Sequence, residues 1–226
     1  MPNQFLSDEF GDIEDYFVTD YRLIDNFVGD SLWIWGTNND GQLGNFTNTP
    51  RNTPVTTFAG GNNWKQVSAG RTHTAAIKTD GSLWVWGEGT GGRLGVNDTT
   101  DRNTPVTTFA GGNDWKQVSC GYNHTAAIKT DGSLWTWGRN GNGQLGNNAL
   151  TTRTTPVTTF AGGNDWKQVS PGQTTMAIKT DGTLWDTRNN EFTFAQRFSG
   201  DNNWKSVSSG GANQFLIGAI KYVPDP

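Results

Sequence analysis

The segment HTAAIKTDGSLW occupies residues 73–84 and returns unchanged at 124–135, and PVTTFAGGNDWKQVS occupies 105–119 and returns at 156–170. Both displacements are 51 residues. An earlier copy of the second segment starts at Pro54, with Asn63 where the later copy has Asp114, and a looser one, SGDNNWKSVSSG, covers 199–210. Trp33, Trp84, Trp135 and Trp185 mark the same beat. A period of this length confines a chain to architectures in which each unit hides its apolar face only against its neighbours.

Within a unit the local signals are those of short strands. QVSAG is brief and small; HTAAIKT ends at Asp80-Gly81, and SLWVWG follows at once. An Asp-Gly pair between two such runs predicts a hairpin, because its turn requires positive φ and glycine tolerates it. Asp131-Gly132 and Asp181-Gly182 repeat the signal. The two tryptophans of LWVWG stand two residues apart, so on a strand they project from one face into the gap between stacked sheets. GQLG (41–44), GRLG (92–95) and GQLG (143–146) predict tight returns into a fourth strand. Four strands per unit, with no helical periodicity inside the repeats, describe an all-β chain of propeller blades; a linear solenoid is the rival.

Composition agrees and narrows the function classes. Only 33% of the 226 residues are hydrophobic, yet 11 are tryptophan and 30 are glycine, so burial comes from a few large rings in a chain that turns often. Cys120 is the sole cysteine, which excludes an internal disulfide and a cysteine-rich zinc site. No apolar run reaches the roughly 18 residues of a membrane helix. The N-terminus lacks the basic start and apolar core of a secretory signal, so a soluble chain without conventional export is expected. The net charge of −4 divides unevenly, since residues 1–30 hold eight acidic groups against Arg22 alone and the remainder is mildly basic. Nucleic-acid binding would need a more concentrated basic surface.

WGTNNDGQLG, WGEGTGGRLG and WGRNGNGQLG, each followed by Pro and then by VSAG or VSCG with HTAAIKTDGSLW, resemble regulator of chromosome condensation repeats. The resemblance runs from residue 31 to about 222 and implies a propeller in which each repeat supplies a four-stranded blade. It also implies a ring of seven blades, against about four units here. The repeats enter at SLWIWG (31–36), the third strand of a unit, and leave at SVSSG through FLIGAIKYV (206–223), the first two strands. Two arrangements are open. Either the terminal strands complete one shared blade around three internal blades at roughly 66–114, 117–165 and 168–204, or the arc stays open and its ends pair with another chain. LWDTRNNEFTFAQRF (184–198) has lost the WG and LG signatures, as terminal repeats do.

No catalytic motif is found. His73 and His124, the only histidines, fall at the same place in consecutive units, and the third unit has Thr175 there. A residue repeated once per blade serves what every blade needs, so both are read as structural and not as a catalytic or metal pair. Asp80, Asp131 and Asp181 are read as turn residues. Asp40 in TNNDGQLGN lacks the spaced acidic ligands and closing glutamate of a calcium loop. Cys120 stands where the other units have Ala69, Pro171 and Ser209, and is read as a buried, inert thiol. No metal and no cofactor is expected.

Identical residues build scaffold, so contacts are sought where the units differ. Three variable sets stand out: residues 37–40, 88–92 and 139–143; residues 45–49, 96–100 and 147–151; and residues 71–72, 122–123 and 173–174. The last set follows the inner strands, and Arg71, Tyr122, Asn123 and Gln173 are the candidate binding residues.

Residues 1–30 match no repeat, and the propeller is expected over 31–226. Ile13, Phe17, Tyr21, Ile24 and Phe27 fall at roughly helical spacing among acids, although β-prone residues suit an extended arm equally. A docking arm is expected, with Phe10, Tyr16, Phe17, Tyr21 and Phe27 as its aromatic anchors; the alternative is an arm that caps the ring's own edge. Near-identical Asn/Gly/Thr-rich repeats behind such an arm resemble repeat proteins of tailed bacteriophages, notably those of marine cyanobacteria. That resemblance implies a noncatalytic structural or adhesive virion component of tail, neck or fibre. The arm would hold it to other virion proteins in symmetric copies, with a host glycan or protein as ligand. The repeat-family resemblance implies the alternative, a cytoplasmic regulator of a small GTPase akin to guanine-nucleotide exchange factors, or a glycan- or protein-binding propeller. Neither reading involves nucleic acid or a membrane.

Overall fold

The computed structural model describes residues 30–187, 192–209 and 217–222. The expected docking arm, with Phe10, Tyr16, Phe17, Tyr21 and Phe27, lies outside the described residues. Strands β1 (Trp33–Gly36) and β2 (Arg51–Thr56) form a two-stranded sheet. Three complete four-stranded sheets follow. The first blade is β3 (Trp64–Ala69), β4 (His73–Lys78), β5 (Leu83–Gly87) and β6 (Arg102–Thr107). The second is β7 (Trp115–Cys120), β8 (His124–Lys129), β9 (Leu134–Gly138) and β10 (Arg153–Thr158). The third is β11 (Trp166–Pro171), β12 (Thr175–Lys179), β13 (Leu184–Asp186) and β14 (Ala195–Arg197). A last two-stranded sheet holds β15 (Trp204–Ser209) and β16 (Ile217–Lys221). The blades are antiparallel meanders, and β3, β7, β11 and β15 lie side by side as the inner strands.

The Asp-Gly turns form as the sequence predicts. Gly81 and Gly132 both sit at φ +83°, and the Asp80 carboxylate accepts hydrogen bonds from the Ser82 amide and hydroxyl. Each turn also presses on the next blade, because a Cβ on Gly132 would lie 2.1 Å from the Asn164 carbonyl oxygen. Strand β4 is covered on both faces. Ala75 and Ile77 pack forward against Trp115 and Val118 of the second blade, and Ala76 packs backward with Trp64 and Trp86. A strand buried on both sides reads as a continuous small or apolar run, which is why HTAAIK does not alternate.

The paired tryptophans share one face, as their spacing requires. Trp115 meets Trp135 and Trp137 edge-on, with ring centroids 6.1 and 6.2 Å away, an arrangement worth roughly 0.5–1.5 kcal/mol per pair beyond area burial. Lys129 Nζ lies 4.8 and 4.9 Å from the Trp115 and Trp135 rings and 3.2 Å from Asp114. Lys78 and Lys179 repeat the lysine–tryptophan arrangement in the other blades.

Adjacent inner strands belong to different sheets, so their facing peptide groups need another partner. A glutamine supplies it. Gln66 Nε2 donates to the Val118 carbonyl at 3.1 Å while its Oε1 accepts from the Val118 amide at 3.1 Å. Gln117 clamps Val169 and Gln168 clamps Val207 in the same way. A primary amide offers the donor and acceptor of a peptide group, so one side chain reproduces a rung of a ladder.

The third blade solves the loss of its WG and LG signatures differently. Gly44 and Gly95 lie beneath Trp86 and Trp137, so close that an added Cβ would sit 2.8 and 2.7 Å from the indoles. In the third blade Thr187 holds the tryptophan's place, and Phe194 moves over Gly146 and against Trp166, at 5.3 Å between centroids. Asp186, fully buried beside it, pairs with Arg197 at 2.6 Å.

The terminal sheets each carry half of the blade pattern, and the two halves are complementary. β1 and β2 carry the residues equivalent to β5 and β6, and β15 and β16 those equivalent to β3 and β4. Among the described residues no strand pairing joins β1 to β16, so the shared blade is not formed there.

Candidate functional site

The loops that follow the inner strands and the loops that follow the third strands are one surface. The Glu88 amide donates to the Thr72 carbonyl at 2.8 Å, and the Arg139 amide donates to the Asn123 carbonyl at 3.0 Å. Asn140, fully buried, ties in the remaining variable set: its Nδ2 donates to the Ala149 and Thr151 carbonyls, and its Oδ1 accepts from the Leu145 amide. Asn38 repeats this staple with Thr47, Thr49 and Leu43. In the first blade Gly89 holds that place, and the Asp101 carboxylate accepts from its amide at 2.8 Å instead. Arg93, where the neighbouring units have Gln42 and Gln144, pairs with Glu88 and donates to the Thr72 hydroxyl, both at 2.7 Å. Burial first, then the charges of Glu88 and Asp101, raises the pKa of Asp40.

Both histidines are structural bridges between blades. His73 Nε2 lies 2.9 Å from the Thr125 hydroxyl, which itself donates to the Arg93 carbonyl. His124 Nε2 lies 2.7 Å from the Thr175 hydroxyl, which donates to the Gln144 carbonyl. Each hydroxyl has spent its one proton, so the imidazole nitrogen is the donor and the ring is the neutral Nε2–H tautomer. Burial agrees, pushing His73 down to about 3 and His124 down to about 4. Burial also pushes the Cys120 thiol up to about 12, which leaves no thiolate to react. Asp80, Asp131 and Asp181 are bound up in their own turns, with carboxyls held below the usual range chiefly by hydrogen bonds from the residue two positions on.

The four candidate binding residues come together on this surface. The Arg71 guanidinium stacks over the Tyr122 ring across the boundary between first and second blades, 4.4 Å from its centroid. Tyr122 is the wall between two recesses. One, of about 160 Å³, is lined by Asn123, Arg139, Asn142 and Gln173. The other, of about 280 Å³, is lined by Arg71, Cys120, Pro171 and Ser209. The surface offers an aromatic ring, two exposed guanidinium groups and several side-chain amides, a set suited to the polar and acidic surface of a folded partner. Among the described residues no three His, Cys, Asp or Glu side chains converge to hold a metal.

Sequence reasoning held Arg139 and Asn142 in a separate variable set, 139–143, and missed that this loop meets Tyr122, Asn123 and Gln173 in one recess, joined by the bond from the Arg139 amide to the Asn123 carbonyl. It also missed the glutamine clamps and asparagine staples. Their signal was recurrence: Gln66, Gln117 and Gln168 stand at one place in the repeat, as do Asn38 and Asn140.

The regulator of chromosome condensation (RCC1) repeat matches residues 30–77, 80–128 and 131–178. The chain is 41% identical over 119 residues to the ultraviolet-B receptor UVR8 of Arabidopsis thaliana, covering 51% of this chain and 27% of the relative. It is 36% identical over 118 residues to the human X-linked retinitis pigmentosa GTPase regulator, covering 51% of this chain and 12% of the relative. Among solved structures, Prp20p of Saccharomyces cerevisiae, described with its binding to Gsp1p and histones, superposes with a TM-score of 0.66 at 20% identity. That superposition covers 80% of this chain and 50% of Prp20p. The chain thus spans half of the solved propeller and about a quarter or less of these curated relatives.

Proposed function

This chain belongs to the regulator of chromosome condensation repeat family, and from that premise we propose that it is a noncatalytic protein-recognition module that engages a GTPase-class partner through the surface around Tyr122. The observation that carries this reading is the convergence of Arg71, Tyr122, Asn123 and Gln173, all positions where the repeats differ, around two adjoining recesses. Regulation of a GTPase by such a surface requires no nucleophile in the propeller, only differential contact with two states of the partner. The human relative named as a GTPase regulator supports the choice of partner class. The expectation of a virion component of tail, neck or fibre draws no support from these relatives. A pull-down of small GTPases, nucleotide-free and nucleotide-loaded, tests the proposal. The chain retains a GTPase, and Tyr122→Ala and Arg71→Ala release it while keeping the wild-type circular dichroism and melting temperature. Retention undiminished in both variants, or no GTPase retained by the wild type, overturns it.

A further inference from the structure

We propose that the two open edges of this chain belong together across two molecules: β16 of one copy pairs antiparallel with β1 of a second, and the reciprocal pairing closes a twofold ring. Among the described residues each edge lacks the strand that the other edge is. In the first blade β4 pairs with β5, placing Ala76 opposite Trp84 and Ala75 opposite Val85. β16 is the counterpart of β4, because Ala219 lies opposite Val207 as Ala76 lies opposite Val67. β1 is the counterpart of β5, because Trp33 lies opposite Thr56 as Trp84 lies opposite Thr107. The blade pattern therefore sets the missing register, with Ala219 opposite Trp33 and Gly218 opposite Ile34.

Among the described residues, large apolar side chains at both edges are exposed. Trp35 is 59% exposed, and its equivalents Trp86 and Trp137 are fully buried. Ile220 is 64% exposed, and its equivalents Ile77, Ile128 and Ile178 are fully buried. Unpaired strand edges flanked by large apolar groups are surfaces that seek a strand. A composite blade supplies what the internal ones have: Trp33 and Trp35 of one copy stand beside Trp204 of the other, as Trp135 and Trp137 stand beside Trp115. Lys221, 5.6 Å from the Trp204 ring, then gains Trp33 as the second wall that Lys129 finds in Trp135. Ser206 holds the place of the clamp glutamine, so the attachment falls to the composite sheet.

The occupant is a second copy and not the chain's own other end. The arc follows half of a solved propeller chain, so its curvature carries its two ends to opposite sides of a ring. Two such arcs make a ring of eight blades, three complete ones from each copy and two composite ones, one more than the seven that the family resemblance implies and within the range that propellers adopt, and the isologous symmetry satisfies both edges at once.

Two single variants, Ile34→Cys and Gly218→Cys, test the register. Directly opposed residues of antiparallel strands have Cβ atoms about 4.5–5.5 Å apart, close to disulfide reach. A Cβ at Gly218 meets no atom within 4 Å, and the buried Cys120 does not compete. The wild-type chain is expected to sediment at twice its 24.7 kDa, and Ile220→Lys at the monomer mass with its blades still folded. Mixed and oxidised, the two cysteine variants yield a covalent dimer on a non-reducing gel, and the double variant does the same. A monomeric wild type at every concentration, no cross-link, or an intrachain disulfide in a monomeric double variant overturns the proposal. No GTPase enters the experiment, so its result is independent of the partner reading.

Discussion

Trp137 and Trp35 hold the same place in the repeat and meet opposite surroundings: the first is fully buried, the second 59% exposed. Residue type and strand position are identical, so the difference lies in the neighbours. Trp137 has the Gly95 turn of the preceding blade against its ring and Trp115 at its edge. Trp35 has neither a preceding blade nor a fourth-blade inner strand among the described residues. A repeat unit does not carry its own burial; it receives it from the unit before and the unit after. The internal blades are thus finished objects and the terminal sheets are half-reactants.

The sharpest way to break that contrast is truncation. Trp137→Ala is expected to cost about 3–5 kcal/mol at every protein concentration, the range for a fully buried tryptophan. Trp35→Ala should leave a dilute sample nearly unchanged and destabilise only a concentrated one, where a second copy covers it. Urea unfolding at two protein concentrations reads both.

Acid separates the interior junctions from the edges next. The folded pKa values of His73 and His124, about 3 and about 4, lie below the ordinary 6.5, so the unfolded chain binds protons first. Their share of stability is whole above pH 6.5, falls as pH drops below it, and levels off near the folded values. The loss reaches roughly 3 kcal/mol per histidine by pH 4. His124→Gln should flatten half of that dependence; a wild-type stability indifferent to pH between 6.5 and 4 contradicts the neutral tautomers.

Smaller effects grade the turns and clamps. Gly132→Ala places a Cβ 2.1 Å from the Asn164 carbonyl at φ +83° and is expected to cost about 2 kcal/mol or more, whereas Gly111→Ala at φ +57° meets no atom within 4 Å and should cost about 1. Gln117→Ala removes both bonds to Val169 and should cost about 1–2 kcal/mol, while Ser206→Ala, at the same repeat position in β15, should be close to neutral. Thermal melting ranks all four.

Much of the fold was legible because local rules repeat. Asp80-Gly81 announces a turn wherever it stands, and the spacing of Trp84 and Trp86 places both on one face of any strand. The structural role of the histidines was also legible, from their recurrence and from Thr175 in the third unit. The substitution of Phe194 for a tryptophan was not, because Phe194 stands seven positions after Thr187, which holds the tryptophan's place in the repeat. The candidate surface was half legible. Variation singled out Arg71, Tyr122, Asn123 and Gln173 and, as a separate set, residues 139–143, while only the fold brings Arg139 and Asn142 into the same recess.

By itself the sequence determined the period, the strands, the turns and the division of the chain into blades, since all of these rest on backbone preferences and side-chain alternation within about fifty residues. Only the tertiary structure decided which blade completes which. The Gln117 clamp, the His124–Thr175 bridge and the stacking of Arg71 on Tyr122 each join one unit to the next, and such contacts exist only once sheets have been laid beside each other. Identical repeats specify identical blades, but burial depends on having a neighbour, and that is why Trp137 and Trp35 part company.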